Sequence, residues 1–273
     1  EVARRYPWLG ERVIAAKYDP IAGWLDSNAL IYQFAKAAAS AQIVLSVPEV
    51  SITVQNGRVT GVKTPAGEIA APKVIIASGA NARKVGRTAG VELPLVMRPR
   101  QSVTTGQRHP EFPDDAPMII GSAPHPHVRP EAGTGAIFGW EYAWNNKRAR
   151  DLGHDVGDAP ADALIDPIFP LAPLKDPRFP SMAALLLARQ FGHADGEGFA
   201  HPNYMRGLHH NIGYYVSRDH TVAIRPDGTP YESERALIDA VPGVDGLFAS
   251  VAHVGHGVMT SPAAGDIGTV AVP

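Results

Sequence analysis
Apolar residues recur along this chain in two rhythms. Over residues 28–40 the positions Leu30, Ile31, Phe34, Ala35 and Ala38 repeat at helical spacing, which predicts a helix with one buried face, and Asp26 or Ser27 stands where an N-cap belongs. Short runs of strand type follow at 43–47, 50–54, 58–63 and 68–71, with Asn56-Gly57 and Ala66-Gly67 as hairpin signals. A further apolar run at 74–77 breaks at Ser78-Gly79. Upstream, 13–16 reads as a short strand before the Asp19-Pro20 turn. Downstream, 93–105, 117–121 and 136–140 cluster or alternate as antiparallel strands do, and 180–191 reads as a helix carrying Met182, Leu185, Leu186 and Phe191. From 204 to 215 the chain returns to a strand.

The last apolar run, 247–252, reads as a buried strand. It breaks at Gly255 and Gly257, and the small residues after Pro262 read as a helix start. A strand, a glycine turn and a helix N-terminus let backbone N–H groups approach a ligand closely and favour an electron-rich or anionic partner.

Composition narrows the classes. The 273 residues exceed the usual single domain, so one large or two interleaved domains are expected. Hydrophobic content is 45%, charged content 19% and formal charge −2, with no basic patch for nucleic acid and no polybasic membrane anchor. No apolar run approaches the ~20 residues of a membrane span, and a cytoplasmic location is expected. With no cysteine there is no disulfide or thiolate metal site within these residues. The histidine pairs His125/His127 and His209/His210 lack zinc-ligand spacing, so no metal is expected. Neither Gly-x-Ser-x-Gly nor a phosphate loop occurs.

Two phrases carry a resemblance. Residues 246–265, GLFASVAHVGHGVMTSPAAG, and 74–81, VIIASGAN, are similar, in that family's order, to flavin-binding segments of the D-amino-acid oxidase superfamily, which includes sarcosine and glycine oxidases. The resemblance implies an α/β (α+β) fold: a Rossmann-like FAD domain interleaved with an antiparallel-sheet substrate domain. It assigns 1–20 to the edge of the substrate domain, 21–90 to the FAD domain, 91–219 to the substrate domain and 220–273 to the FAD domain again. FAD is the implied cofactor. Val50, Ala77, Ser78, Gly79, His253, Gly255, His256, Gly257, Val258 and Met259 are its implied contacts.

The implied reaction moves hydride from the carbon beside a substrate nitrogen to flavin N5, and the imine then hydrolyses. Its partners are an amine or amino acid and either oxygen or an electron-transfer protein. The family offers a tyrosine over the flavin from a Gly-x-Tyr element followed by Thr-Pro-Asp. Here that role falls on Tyr215 counting from Gly213 and on Tyr214 counting back from Asp219, with a second Pro-Asp at Pro226-Asp227. Arg98, Arg100 and Arg218 are the candidates for a substrate carboxylate, and His256 is the candidate functional histidine.

The Gly-x-Gly-x-x-Gly fingerprint of such folds is missing. Gly133-Thr134-Gly135 puts Phe138 where a small residue is required. The expectation is therefore a C-terminal fragment of an FAD-dependent oxidoreductase. The alternatives are a non-catalytic remnant of the same fold, or a flavoprotein acting on a hydroxy acid.

Overall fold
The computed structural model describes every residue except 132, 143, 194–206, 220–234 and 272–273. In chain order the elements are α1 (Val2–Arg5), α2 (Ser27–Ala37), β1 (Ser51–Gln55), β2 (Arg58–Thr64), β3 (Gly67–Ala70), β4 (Val74–Ile76), α3 (Ala82–Thr88), β5 (Leu95–Thr105), β6 (Ile119–Ile120), β7 (His127–Glu131), β8 (Gly135–Gly139), α4 (Lys147–Asp151), α5 (Phe179–Phe191), β9 (His209–Arg218), β10 (Leu237–Ala240), β11 (Leu247–Val251) and α6 (Gly257–Ala271). They form two compact units: 1–26 with 100–143 and 169–213, and 27–99 with 144–168 and 214–273.

The first unit is built on strands of a sheet ordered β6-β7-β8-β5-β9. Period-2 alternation sets its faces: Val103, Val128, Ala136 and Phe138 point into the core, while Thr104, Arg129 and Ile137 point the other way. Helix α5 covers the core face. Its Phe179, Ala183, Leu187 and Phe191 fall four residues apart on one stripe and are buried with Trp8, Leu9 and Phe112. Gly133-Thr134-Gly135 lies at the turn from β7 to β8, an antiparallel pair, and not at a strand-to-helix turn.

The second unit holds two three-stranded sheets. In β1-β2-β3 the hairpin at Asn56-Gly57 has φ of 50° and 75°, the left-handed pair that a two-residue type I′ turn requires. The other sheet, β10-β11-β4, pairs β11 antiparallel with β10 and parallel with β4, in the register Leu247↔Val74, Phe248↔Ile75, Ala249↔Ile76. Gly246 makes this pairing possible. Its φ is +78°, and a Cβ there would run into the carbonyl oxygen of Pro72, just upstream of β4.

Three sequence expectations are corrected. Residues 43–47 are not a strand: the segment forms no ladder, and Ile43, Val44 and Leu45 are exposed. Helix α2 exists but buries no residue, with Ile31, Tyr32 and Phe34 facing outward, because none of the described elements packs over its apolar face. Helix α6 begins at Gly257, before Pro262. A proline inside a helix leaves a carbonyl without its N–H donor; Ser261 Oγ donates to Val258 O at 3.0 Å and serves that carbonyl instead.

Replacing Gly246 with alanine forces a side chain into both a left-handed backbone and an occupied space. Gly246→Ala is expected to lower stability by about 1–3 kcal/mol, read as a reduced urea midpoint at unchanged m-value.

Candidate functional site
Parallel pairing brings the carboxyl ends of β4 and β11 side by side, each followed by a turn and a helix. After β4 come Ala77 and Ser78, then Gly79 at φ 53°, and all three are exposed. After β11 the backbone twists twice into the left-handed region, at Ala252 (φ 62°) and Val254 (φ 51°), before α6 starts. Val254 N–H donates to Val216 O at 3.1 Å, so the turn is fastened to β9, and His256 N–H donates to His253 O at 3.1 Å.

Between this sheet and α6 opens a cleft of about 690 Å³, within the range of ligand pockets. Ile75, Ala77, Ser250 and His253 line it from the sheet side, and Gly257 and Ser261 from the helix. His253 lies 3.2 Å from Ser250 Oγ through Nε2, while its Nδ1 is buried without a partner among the described residues. A buried polar atom in that condition costs about 1–3 kcal/mol unless a ligand or water meets it. A Cβ on Gly257 would come within 3.1 Å of the His253 Cβ, so a side chain there would press on the same wall.

The structure separates the two tyrosines. Alternation along β9 turns them to opposite faces. Tyr214 Oη donates to Ile168 O and accepts from Ile168 N–H, both at 2.8 Å, and burial pushes its phenol above the usual value, opposed in part by that bond to Ile168. Tyr215 is 41% exposed and lies against the glycine turn: a Cβ on Gly255 would stand 2.9 Å from its ring. Gly255 is therefore the residue that admits the Tyr215 ring to this turn.

Other sequence candidates are dispersed. Arg98, a candidate for a substrate carboxylate, is buried and its guanidinium is ion-paired with Asp162 at 3.0 Å. Removing one partner of such a pair leaves an uncompensated buried charge. The Tyr214 hydroxyl is engaged by the Ile168 backbone. Val50 stands exposed just before β1; His256, Val258 and Met259 are exposed at the start of α6. The Pro226-Asp227 element lies outside the described residues. Ser250, Ser261 and Ile75 were not anticipated. A serine inside the apolar run 247–252 was the available signal for Ser250. Among the described residues no group of three or more histidine and acidic side chains is arranged to hold a metal, and no helix is long and apolar enough to cross a membrane.

Two adjacent parallel strands ending in small-residue turns, with a helix N-terminus beside them, define a ligand site of the dinucleotide-binding α/β class. A family model described as FAD-dependent oxidoreductase (DAO) matches residues 1–269, and the chain belongs to that family. Over 111 residues it is 32% identical to sarcosine oxidase subunit beta from Arthrobacter sp., a match covering 40% of this chain and 26% of that protein. L-Proline dehydrogenase from P. horikoshii shares its fold with a TM-score of 0.68 at 20% identity, over 98% of this chain and 61% of that one. For glycine oxidase from Bacillus cereus ATCC 14579 the TM-score is 0.67 at 18% identity, over 99% and 62%. The chain thus spans less than two thirds of each of these three proteins. The family's cofactor is FAD, and the cleft fits such a group: His253 Nδ1 is an unmet polar atom in its wall, and the helix side presents Gly257 without a side chain.

The two tyrosines give opposite expectations. Tyr214→Phe loses a donor and an acceptor to Ile168 and should cost about 1–3 kcal/mol. Tyr215→Phe should stay within about 0.5 kcal/mol of the parent. Chemical unfolding of both variants checks the assignment.

Proposed function
We propose that this chain is part of an FAD-dependent enzyme that oxidises an amine or amino acid. The observation that carries the reading is the cleft at the paired ends of β4 and β11, with Tyr215 packed against the Gly255 turn beside it. FAD, when bound, supplies a two-electron acceptor for the hydride that leaves the carbon beside nitrogen. Ala77, Ser78 and Gly79 offer backbone groups from one turn, and His253, Gly255, His256 and Gly257 from the other. The N-terminus of α6 places backbone N–H groups that a first helical turn leaves without an intrahelical acceptor, from Gly257 to Met259, where electron density is to be stabilised. Ser250 holds His253 from one side, leaving Nδ1 to meet the cofactor.

Tyr215 is the substrate-positioning residue in this reading, and Arg100 or Arg218 receives a substrate carboxylate. Arg218 has one N–H held by Ala236 O and its buried Nε without a partner among the described residues. The electron acceptor is oxygen or an electron-transfer protein.

The apolar residues left outward on α2 and at 43–45 match a fold whose glycine-fingerprint unit is to be supplied by sequence beyond these residues.

The test is anaerobic mixing of the full-length protein that carries this chain with secondary amines, amino acids and hydroxy acids. Loss of absorbance at about 450 nm with amines or amino acids is expected; bleaching by hydroxy acids alone would contradict the substrate class. Gly257→Val should stay soluble while losing flavin, and a variant that keeps its flavin would remove Gly257 from the cofactor wall.

A further inference from the structure
The two tyrosines of β9 stand next to each other on opposite faces of the strand. On one face the Tyr214 hydroxyl donates to Ile168 O and accepts from Ile168 N–H, each at 2.8 Å, so both functions of the group are engaged by one residue. Burial pushes the Tyr214 phenol up, and the hydroxyl therefore keeps its proton and goes on donating. Two residues beyond Tyr214, Val216 O accepts the Val254 N–H at 3.1 Å and ties β9 to the turn after β11. Tyr215 lies between these two fastened residues, its side chain exposed and its ring set against Gly255.

Ile168 is itself a fixed point, because it closes a segment, 162–168, that is held along its length. Asp162 is ion-paired with the buried Arg98 at 3.0 Å. Leu164 exchanges backbone hydrogen bonds with Met97 of β5 at 2.7 and 2.8 Å. Arg83 of α3 donates to Ile165 O at 3.0 Å, and Nη1 of Arg87 reaches both carboxylate oxygens of Asp166 at 2.8 Å. Helix α3 follows the Ala77–Gly79 turn, so the segment that anchors Tyr214 is bonded as well to the helix after the other turn of the site. All of these residues belong to the second unit.

We infer that Tyr214 is a positioning residue for Tyr215: anchored at Ile168, it holds β9 from the opposite face and sets the direction in which the Tyr215 ring meets the Gly255 turn. The two tyrosines then act as a pair, one gripping and one presenting, and are not rivals for a single role. That Tyr215 serves a substrate rests on the amine-oxidation reading above; the positioning rests on these contacts alone.

The experiment uses the full-length protein that carries this chain, with isotope-labelled tyrosine rings, and follows the Cε–H signals of Tyr215 by NMR. They are identified by their loss in Tyr215→Phe. Tyr214→Phe should shift or broaden them, and para-aminophenylalanine at position 214, which keeps an N–H donor for Ile168 O, should restore them towards the parent position. Thr88→Val removes the acceptor of Ile52 N–H, 2.9 Å away between α3 and β1, and should leave them unmoved. Unmoved Tyr215 signals in Tyr214→Phe, no recovery with para-aminophenylalanine, or an equal shift in Thr88→Val would overturn the positioning role. With the amine or amino acid that bleaches the parent flavin, Tyr214→Phe should keep its flavin and bleach slower by about tenfold or more; an unchanged rate would contradict a part for the pair in the reaction. Because the NMR readout needs no substrate, the two readings fail separately. Tyr215 signals that respond as expected in a protein no amine bleaches contradict the oxidation reading alone, and bleaching with unresponsive Tyr215 signals contradicts the positioning alone.

Discussion

Everything at the candidate cofactor site depends on one pairing, the parallel ladder between β4 and β11. These strands are remote in sequence, and parallel strands cannot be joined by a tight turn, so the ladder has to be closed through the intervening chain. Its register sets which residues meet: with Ala249 beside Ile76, β4 ends while β11 runs on to Val251, so the turn after β4 lies beside the last residues of β11. Gly246 lets the chain enter β11 against Pro72, and the Val254 bond to Val216 fixes where it leaves. The cleft, the orphaned His253 Nδ1 and the bare Gly257 follow from these constraints.

Local chemistry was readable from the sequence where the chain itself carries the constraint. Asn56-Gly57 is a hairpin turn because its left-handed dihedrals suit those residues, and the run after Gly246 is a strand followed by a glycine turn because nothing else satisfies both patterns. Reading failed where the deciding partner is distant. Arg98 reads as a candidate for a substrate carboxylate, and nothing local in the sequence announces its ion pair with Asp162. Counting motifs left Tyr214 and Tyr215 equivalent; alternation puts them on opposite faces, and only the structure shows that one ring reaches Ile168 and the other the Gly255 turn. Pro262 signalled a helix start because proline favours a first turn, yet Ser261 Oγ permits it one turn further in.

The apolar surface of the second unit is the other feature that sequence periodicity alone misjudged. The spacing of Ile31 and Phe34 correctly announces an amphipathic helix, and burial of its face was inferred from that spacing. Periodicity states that a face is suited to burial; it does not supply the covering element. The same holds for Ile43, Val44 and Leu45, whose β-branched and aliphatic character suits a strand that has no described neighbour. These surfaces and the cleft belong to the same unit.

The proposed flavin site is tested most directly by the visible absorption spectrum of the purified full-length protein that carries this chain, beside the chain alone. The account predicts oxidised-flavin bands near about 370 and 450 nm in the full-length protein and a colourless chain. A full-length protein without those bands, even after incubation with FAD, would contradict the assignment of the β4 and β11 turns to a flavin site.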